Sequence, residues 1–231
     1  MTAGADFTKS VSGRFATIVA DPPWRFQNRT GKMAPEHQRL LRYPTLSIEE
    51  ICQIPVASVA ATESHLYLWV PNALLAEGLQ VMQRWGFQYK SNIVWYKTRK
   101  DGGPDGRGVG FYFRNVTELI LFGVRGRMRT LQPGRTQTNI IVSQKREHSR
   151  KPDEIFPLIE ECSPGPYLEL FARFQRPGWT QWGNEDVEQN TSLDVAVRNG
   201  HAENGTRAEV PPSAYRKRKK IDQQSQLPLF Q

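Results

Sequence analysis

Cysteine is almost missing from this chain: Cys52 and Cys162 are the two found in 231 residues. They stand far apart and match no zinc or redox spacing, which argues against a disulfide framework or a structural metal and fits a reducing cytoplasm. Long apolar runs are missing too. None approaches the roughly 18 residues of a membrane span, and the polar N-terminus has no secretory apolar segment, so no membrane role is expected. Internal repeats are absent, which excludes solenoids and propellers. Acids are outnumbered: 23 Asp and Glu face 31 Lys and Arg, for a formal net charge of +8. Such an excess suits a polyanionic partner, although many soluble proteins carry one without binding nucleic acid.

What the chain does have is an alternation of strand-like and helix-like segments. Apolar, β-branched runs predict strands at Phe15–Ala20, Ser64–Val70, Asn92–Lys97, Val116–Gly123, Asn139–Val142, Tyr167–Phe171 and Trp179–Gly183. Ser47 is an N-cap for a helix with Glu49 and Glu50 in its first turn. Pro71-Asn72 lead into a helix ending near Trp85-Gly86, and Lys151-Pro152-Asp153-Glu154 start another, with Pro near its first position. The pattern implies an α/β fold with a largely parallel sheet covered on both faces, whose ligands sit outside the carboxyl ends of its strands. From about Asp186 the chain becomes polar and aperiodic. A domain over residues 1–185 followed by a disordered basic tail over 186–231 is therefore expected.

The most informative residues are Asp21-Pro22-Pro23-Trp24, directly after the first predicted strand. Consecutive prolines fix φ and remove two backbone donors, so their carbonyls are held in a set direction. A carboxylate beside an oriented carbonyl makes a rigid pair of acceptors, and a tryptophan face lies next to it. That combination suits an exocyclic NH2 on a flat heterocycle. Taken alone, the tetrapeptide also fits a proline-stiffened turn with a core tryptophan.

Further motifs follow in order. They are Leu66-Tyr67-Leu68-Trp69-Val70, Ile93-Val94-Trp95-Tyr96-Lys97-Thr98, Ser149-Arg150-Lys151-Pro152-Asp153-Glu154, Ser163-Pro164-Gly165, Glu169-Leu170-Phe171-Ala172-Arg173 and Trp182-Gly183-Asn184. With the tetrapeptide, this series from about Phe15 to Glu185 resembles the adenine-N(6) methyltransferase family. That family includes the catalytic subunit of the eukaryotic mRNA adenosine methyltransferase and many bacterial and phage enzymes. The resemblance implies a Rossmann-like sheet that binds S-adenosylmethionine, with the catalytic motif ahead of the cofactor strand. It implies that Asp21 and the Pro22 carbonyl accept hydrogen bonds from an adenine amine, with Pro23 and Trp24 completing the catalytic motif and Trp24 stacking on the base. By the same resemblance Tyr43 is a loop aromatic that closes over the adenine, and Lys151 contacts the methionine end of the cofactor or the target nucleotide. Glu169, Phe171 and Arg173 fall at the cofactor site. Asn184 falls where an amide binds the cofactor's adenosine, and Glu185 is placed to accept from a ribose hydroxyl. Plain alternatives are an exposed loop tyrosine for Tyr43 and a salt bridge for Glu169. The loop Phe174-Gln175-Arg176 is shorter than the eukaryotic pattern, which weakens any ribose contact from it.

Gly102-Gly103-Pro104-Asp105-Gly106-Arg107-Gly108-Val109-Gly110 lacks the strand-turn-helix setting of a dinucleotide loop, and a strand-like aromatic run follows it. It is expected beside a nucleic-acid channel, with Arg107, Arg114, Arg125, Arg127 and Arg129 as phosphate contacts. A solvated basic face is the alternative. In the tail, Arg216-Lys217-Arg218-Lys219-Lys220 suits a DNA tether or a solubilising stretch. Gln226-Leu227-Pro228-Leu229-Phe230 resembles the peptide by which bacterial proteins dock on the replicative sliding clamp, a contact that deleting Gln226 to Gln231 would remove. The expected protein is a DNA adenine methyltransferase of a bacterial or phage-infected cytoplasm, with oligomeric state open. An RNA adenosine methyltransferase with the same pocket and a catalytically silent nucleic-acid-binding subunit are the alternatives.

Overall fold

The computed structural model describes residues 3–25, 45–105, 112–132, 134–144 and 150–183. Along them run α1 (Ala3–Ser10), β1 (Phe15–Ala20), α2 (Ile48–Gln53), β2 (Ala60–Val70), α3 (Leu75–Arg84), β3 (Gln88–Thr98), β4 (Thr117–Arg125), β5 (Ile140–Gln144), α4 (Ile155–Cys162), β6 (Tyr167–Leu170) and β7 (Trp179–Trp182). All lie in the compact unit Met1–Asn190. The basic run and the clamp-like peptide of the tail lie outside the described residues, as do Tyr43, Arg107, Asn184 and Glu185.

The strands form one sheet in the order β5-β3-β4-β2-β1-β6-β7. Strand β4 runs antiparallel to β2 and β3, and every other pairing is parallel. This is the mostly parallel, Rossmann-like sheet expected, with one reversed strand inside it. The central strands are apolar on both sides because both faces are packed. Successive side chains point to opposite faces. Ile18, Ala20, Leu66, Leu68 and Val70 therefore join Trp24, Met82, Trp85 and Trp182 in one core. Val19, Tyr67 and Trp69 join Ile93, Trp95, Ile155, Phe156 and Ile159 in the other.

The helices follow from local chemistry. Helix α2 begins with a reciprocal capping box in which the Ser47 hydroxyl accepts from the Glu50 N–H while the Glu50 carboxylate accepts from the Ser47 N–H. Helix α3 sits close on β2 and β4 at Gly78, where an added Cβ would lie 2.6 Å from a Val70 methyl. Helix α1 is an addition to the sequence picture. It lays Phe7, fully buried, edge-on against the Trp182 ring at 5.1 Å between centroids.

Three expectations need correction. The helix expected from Lys151-Pro152 begins at Ile155, because Asp153 and Glu154 form a turn first; Lys151 thus precedes the helix. The aromatic run after the glycine-rich stretch is not a strand at Tyr112 and Phe113, and β4 starts at Thr117. Cover on the outer face is incomplete among the described residues, since Ile140 and Val142 of the edge strand β5 are 49% and 59% exposed. No described helix is long and apolar enough to cross a membrane.

Candidate active site

The carboxyl ends of β1, β2, β3 and β6 share one edge of the sheet. Antiparallel β4 contributes its first residues there, because Leu119 pairs with Val70 at the end of β2. The Asn72 amide ties the two together by donating to the Thr117 carbonyl and hydroxyl at 3.2 and 3.0 Å. The edge therefore gathers Asp21 after β1, Lys97 from β3, Glu118 from β4, Glu169 and Phe171 around the end of β6, and Lys151 from the turn before α4.

Four of these groups form a row of alternating charge. The Lys151 ammonium donates to both Asp21 oxygens, at 2.9 and 2.8 Å, and lies 3.5 Å from a Glu118 oxygen. Lys97 pairs with the other Glu118 oxygen. Indole faces back the two cations: Lys151 is 5.1 Å from the Trp69 ring centre and Lys97 is 4.7 Å from that of Trp95. Burial works against the charge on Lys151, but Asp21 and Glu118 outweigh it and hold the amine above the ordinary lysine pKa. Burial likewise works against ionised Glu118, and Lys151 and Lys97 hold it below the ordinary glutamate value. The two central charges, Lys151 and Glu118, are thus each stabilised by their neighbours.

The tetrapeptide is locked in place. The Pro22 carbonyl accepts the Trp24 N–H at 2.8 Å, and the Pro23 carbonyl accepts the Leu46 N–H at 2.9 Å. A carbonyl has two lone pairs, so Pro22 keeps one for a ligand. The stacking expected of Trp24 is corrected here. Its indole is 5% exposed, packed in the core, and its N–H is bound to the Trp69 carbonyl at 3.0 Å. Trp24 anchors the turn and offers no open ring face.

Past β6 the chain turns sharply. Phe171 has φ of 62°, a left-handed conformation that an aromatic residue rarely adopts. Ala172 then donates to the Trp182 carbonyl at 3.1 Å. Gly183 passes so close to the Ala172 carbonyl that a side chain there would collide with it. Glu169 is held by the Gln181 amide at 3.1 Å, and burial raises its carboxyl above the ordinary glutamate range despite that hydrogen bond and the nearby Arg176. Arg176 lies over the Phe156 ring at 3.3 Å, and Arg150 pairs with Asp153 at 2.9 Å. Arg173 is close enough to oppose the charge on Lys151.

The structure thus brings together Asp21, Pro22, Lys151, Glu169, Phe171 and Arg173. It separates the four described arginines of the five considered above. Arg114 precedes β4 on this edge, whereas Arg125 ends β4 on the opposite edge, donating to the Ala57 carbonyl at 2.8 Å, and Arg127 and Arg129 follow it there. Glu118 and Lys97 are site residues that sequence reasoning did not single out. Among the described residues no group of three or more His, Cys, Asp or Glu side chains is arranged to hold a metal ion.

A mostly parallel sheet of this order, with a carboxylate and a proline carbonyl at the end of β1 and a half-buried glutamate near the end of β6, has the Rossmann-like fold of methyltransferases. The chain belongs to the MT-A70 family, which matches residues 15–185. It is 32% identical over 186 residues to a putative N(6)-adenosine-methyltransferase MT-A70-like protein of Medicago truncatula, covering 78% of this chain and 28% of that protein. It is 31% identical over 180 residues to the human N(6)-adenosine-methyltransferase catalytic subunit METTL3, covering 76% of this chain and 29% of that protein. It is also 28% identical over 188 residues to the type II methyltransferase M.MunI of a Mycoplasma species, covering 74% of this chain and 78% of that protein. The chain therefore spans little more than a quarter of the length of the plant and human relatives. MT-A70 methyltransferases use S-adenosylmethionine as methyl donor.

The donor set fits that molecule. Its amino-acid end needs a cation for the carboxylate and an acceptor for the ammonium, and its ribose needs an acceptor for hydroxyls. Lys151 supplies a cation and Glu169 an acceptor along one edge.

Proposed function

We propose that this chain methylates the exocyclic amine of adenine in DNA. The observation that carries the reading is the Asp21 carboxylate at the carboxyl end of β1, beside the Pro22 carbonyl and bridged by Lys151 to Glu118. Asp21 and the free lone pair of Pro22 accept the two N–H bonds of the amine and turn its nitrogen lone pair towards the donor side of the site. Lys151, Glu169 and Arg173 hold the methyl donor. When bound, S-adenosylmethionine supplies a methyl group already activated on a sulfonium, so the chain needs no strong base. Holding two reactants in line is worth up to about 7–11 kcal/mol. Asp21 orients the amine and receives its proton once the amine has gained positive charge. The target base leaves its stack to reach the edge, at a cost of a few kcal/mol in a duplex.

DNA is supported by the presence of a type II methyltransferase, M.MunI, among the relatives and by the clamp-like peptide Gln226-Leu227-Pro228-Leu229-Phe230 in the sequence. The test offers labelled S-adenosylmethionine with DNA and RNA oligonucleotides of matched sequence, each single-stranded and duplex. Label in adenine N6 of DNA is expected. Label confined to RNA would replace the substrate, and no label in either would turn the reading towards a silent subunit.

A further inference from the structure

Every one of the six tryptophans is buried, Trp24 included, at 8% exposure or less. A stacking surface for nucleic-acid bases must come from elsewhere. Tyr112 and Phe113, 93% and 85% exposed, carry the two most exposed large apolar side chains described. Adjacent aromatic rings left in water forgo the burial that such residues usually obtain, and an unburied aromatic pair is a mark of a binding surface.

Their position follows from the reversal of β4. Because that strand is antiparallel, the segment leading into it arrives at the catalytic edge. Phe113 stands five positions before Glu118, which touches Lys151, which in turn holds Asp21. At about 3.6 Å per residue its Cα lies no more than roughly 18 Å from that of Glu118. That is the length of about five nucleotides at about 3.4 Å each. A cation adjoins the pair, since exposed Arg114 directly follows it. This favours a polyanion with aromatic faces over an apolar protein surface.

Resting on the reading of this chain as a polynucleotide methyltransferase, we infer that Tyr112 and Phe113 form the platform on which bases flanking the target adenine stack. The pair holds the strand while the adenine turns into the site. Sequence tolerance is built in, because every base has a ring face to offer.

The test compares wild type, Tyr112→Ala/Phe113→Ala, Tyr112→Trp/Phe113→Trp and Asp21→Ala, measuring oligonucleotide Kd, S-adenosylmethionine Kd and methyl transfer. The alanine pair is expected to weaken oligonucleotide binding roughly 10- to 100-fold and leave S-adenosylmethionine binding unchanged, with the tryptophan pair restoring it. Oligonucleotide affinity within twofold of wild type in the alanine pair would overturn the inference. So would a change in sedimentation to a smaller species at unchanged affinity, which would make the pair a contact between copies. Asp21→Ala separates the two readings: it should bind the oligonucleotide normally and not methylate it. A wild-type protein that binds no polynucleotide would defeat the functional reading itself, and a wild type that methylates alongside an equally tight alanine pair would defeat the platform alone.

Discussion

Strand β2 meets two polar clusters. Midway along it, the His65 ring and the Tyr67 hydroxyl each lie 2.7 Å from the Ser163 hydroxyl, all three almost wholly out of water. At its end, the row Lys97, Glu118, Lys151 and Asp21 carries alternating full charges, with the Lys151 and Asp21 side chains 21% and 26% exposed. The first cluster is neutral: burial lowers the His65 pKa and raises that of Tyr67. The second keeps its charges at the price of partial exposure and mutual pairing. Neutral hydrogen bonds suit a cluster that only holds α4 to the sheet, since an unpaired buried charge would cost far more. Charges at a partly open edge suit the role proposed for Asp21, to accept an amine's N–H bonds and then its proton.

Breaking each cluster should therefore have opposite consequences. The largest effect is expected for Lys151→Met, which leaves the Asp21 and Glu118 carboxylates without their shared cation. Methyl transfer should fall by about 100- to 1,000-fold in initial-rate assays. The Glu118 carboxyl, followed by NMR titration, should move up from its lowered position. Next comes Ser163→Ala, which strands one hydrogen-bonding group each on His65 and Tyr67. Urea unfolding should report a loss of about 1–3 kcal/mol, with kcat unchanged. A fall in kcat without a loss of stability would put Ser163 in the wrong cluster.

The smallest effect is a pH dependence. His65 has a folded-state pKa below its usual 6.5, so in that window the unfolded chain binds the proton more readily. The stability owed to neutral His65 is complete above about pH 6.5 and declines as pH falls through that value towards the folded-state pKa. Melting temperatures between pH 5 and 8 should show the decline in wild type and less of it in His65→Gln.

Much of this arrangement was legible before the structure. Strand β1 matches its predicted run because Phe15–Ala20 is apolar and β-branched, and the Ser47 cap is local chemistry. The direction of β4 was not legible. Thr117–Arg125 reads the same whether it runs with its neighbours or against them, and only pairing across the sheet decides it. Glu118 was missed for that reason. The available signal was an acid within an otherwise apolar strand, and it becomes a site residue only once the strand is reversed. Lys97 was missed similarly, within a motif quoted for its resemblance alone. Trp24 misled in the other direction. Its neighbours advertise a ligand, and nothing local says that the ring turns inwards to the Trp69 carbonyl.

The central claim is that Asp21 acts on the amine and does not merely hold the fold. Single-turnover methyl transfer from labelled S-adenosylmethionine to an adenine-containing oligonucleotide, wild type against Asp21→Asn, tests it most directly. The variant replaces a carboxylate oxygen by a donor of equal size. A fall of about 100-fold or more is predicted, with oligonucleotide binding and the melting temperature close to wild type. Transfer at the wild-type rate by Asp21→Asn would contradict the account.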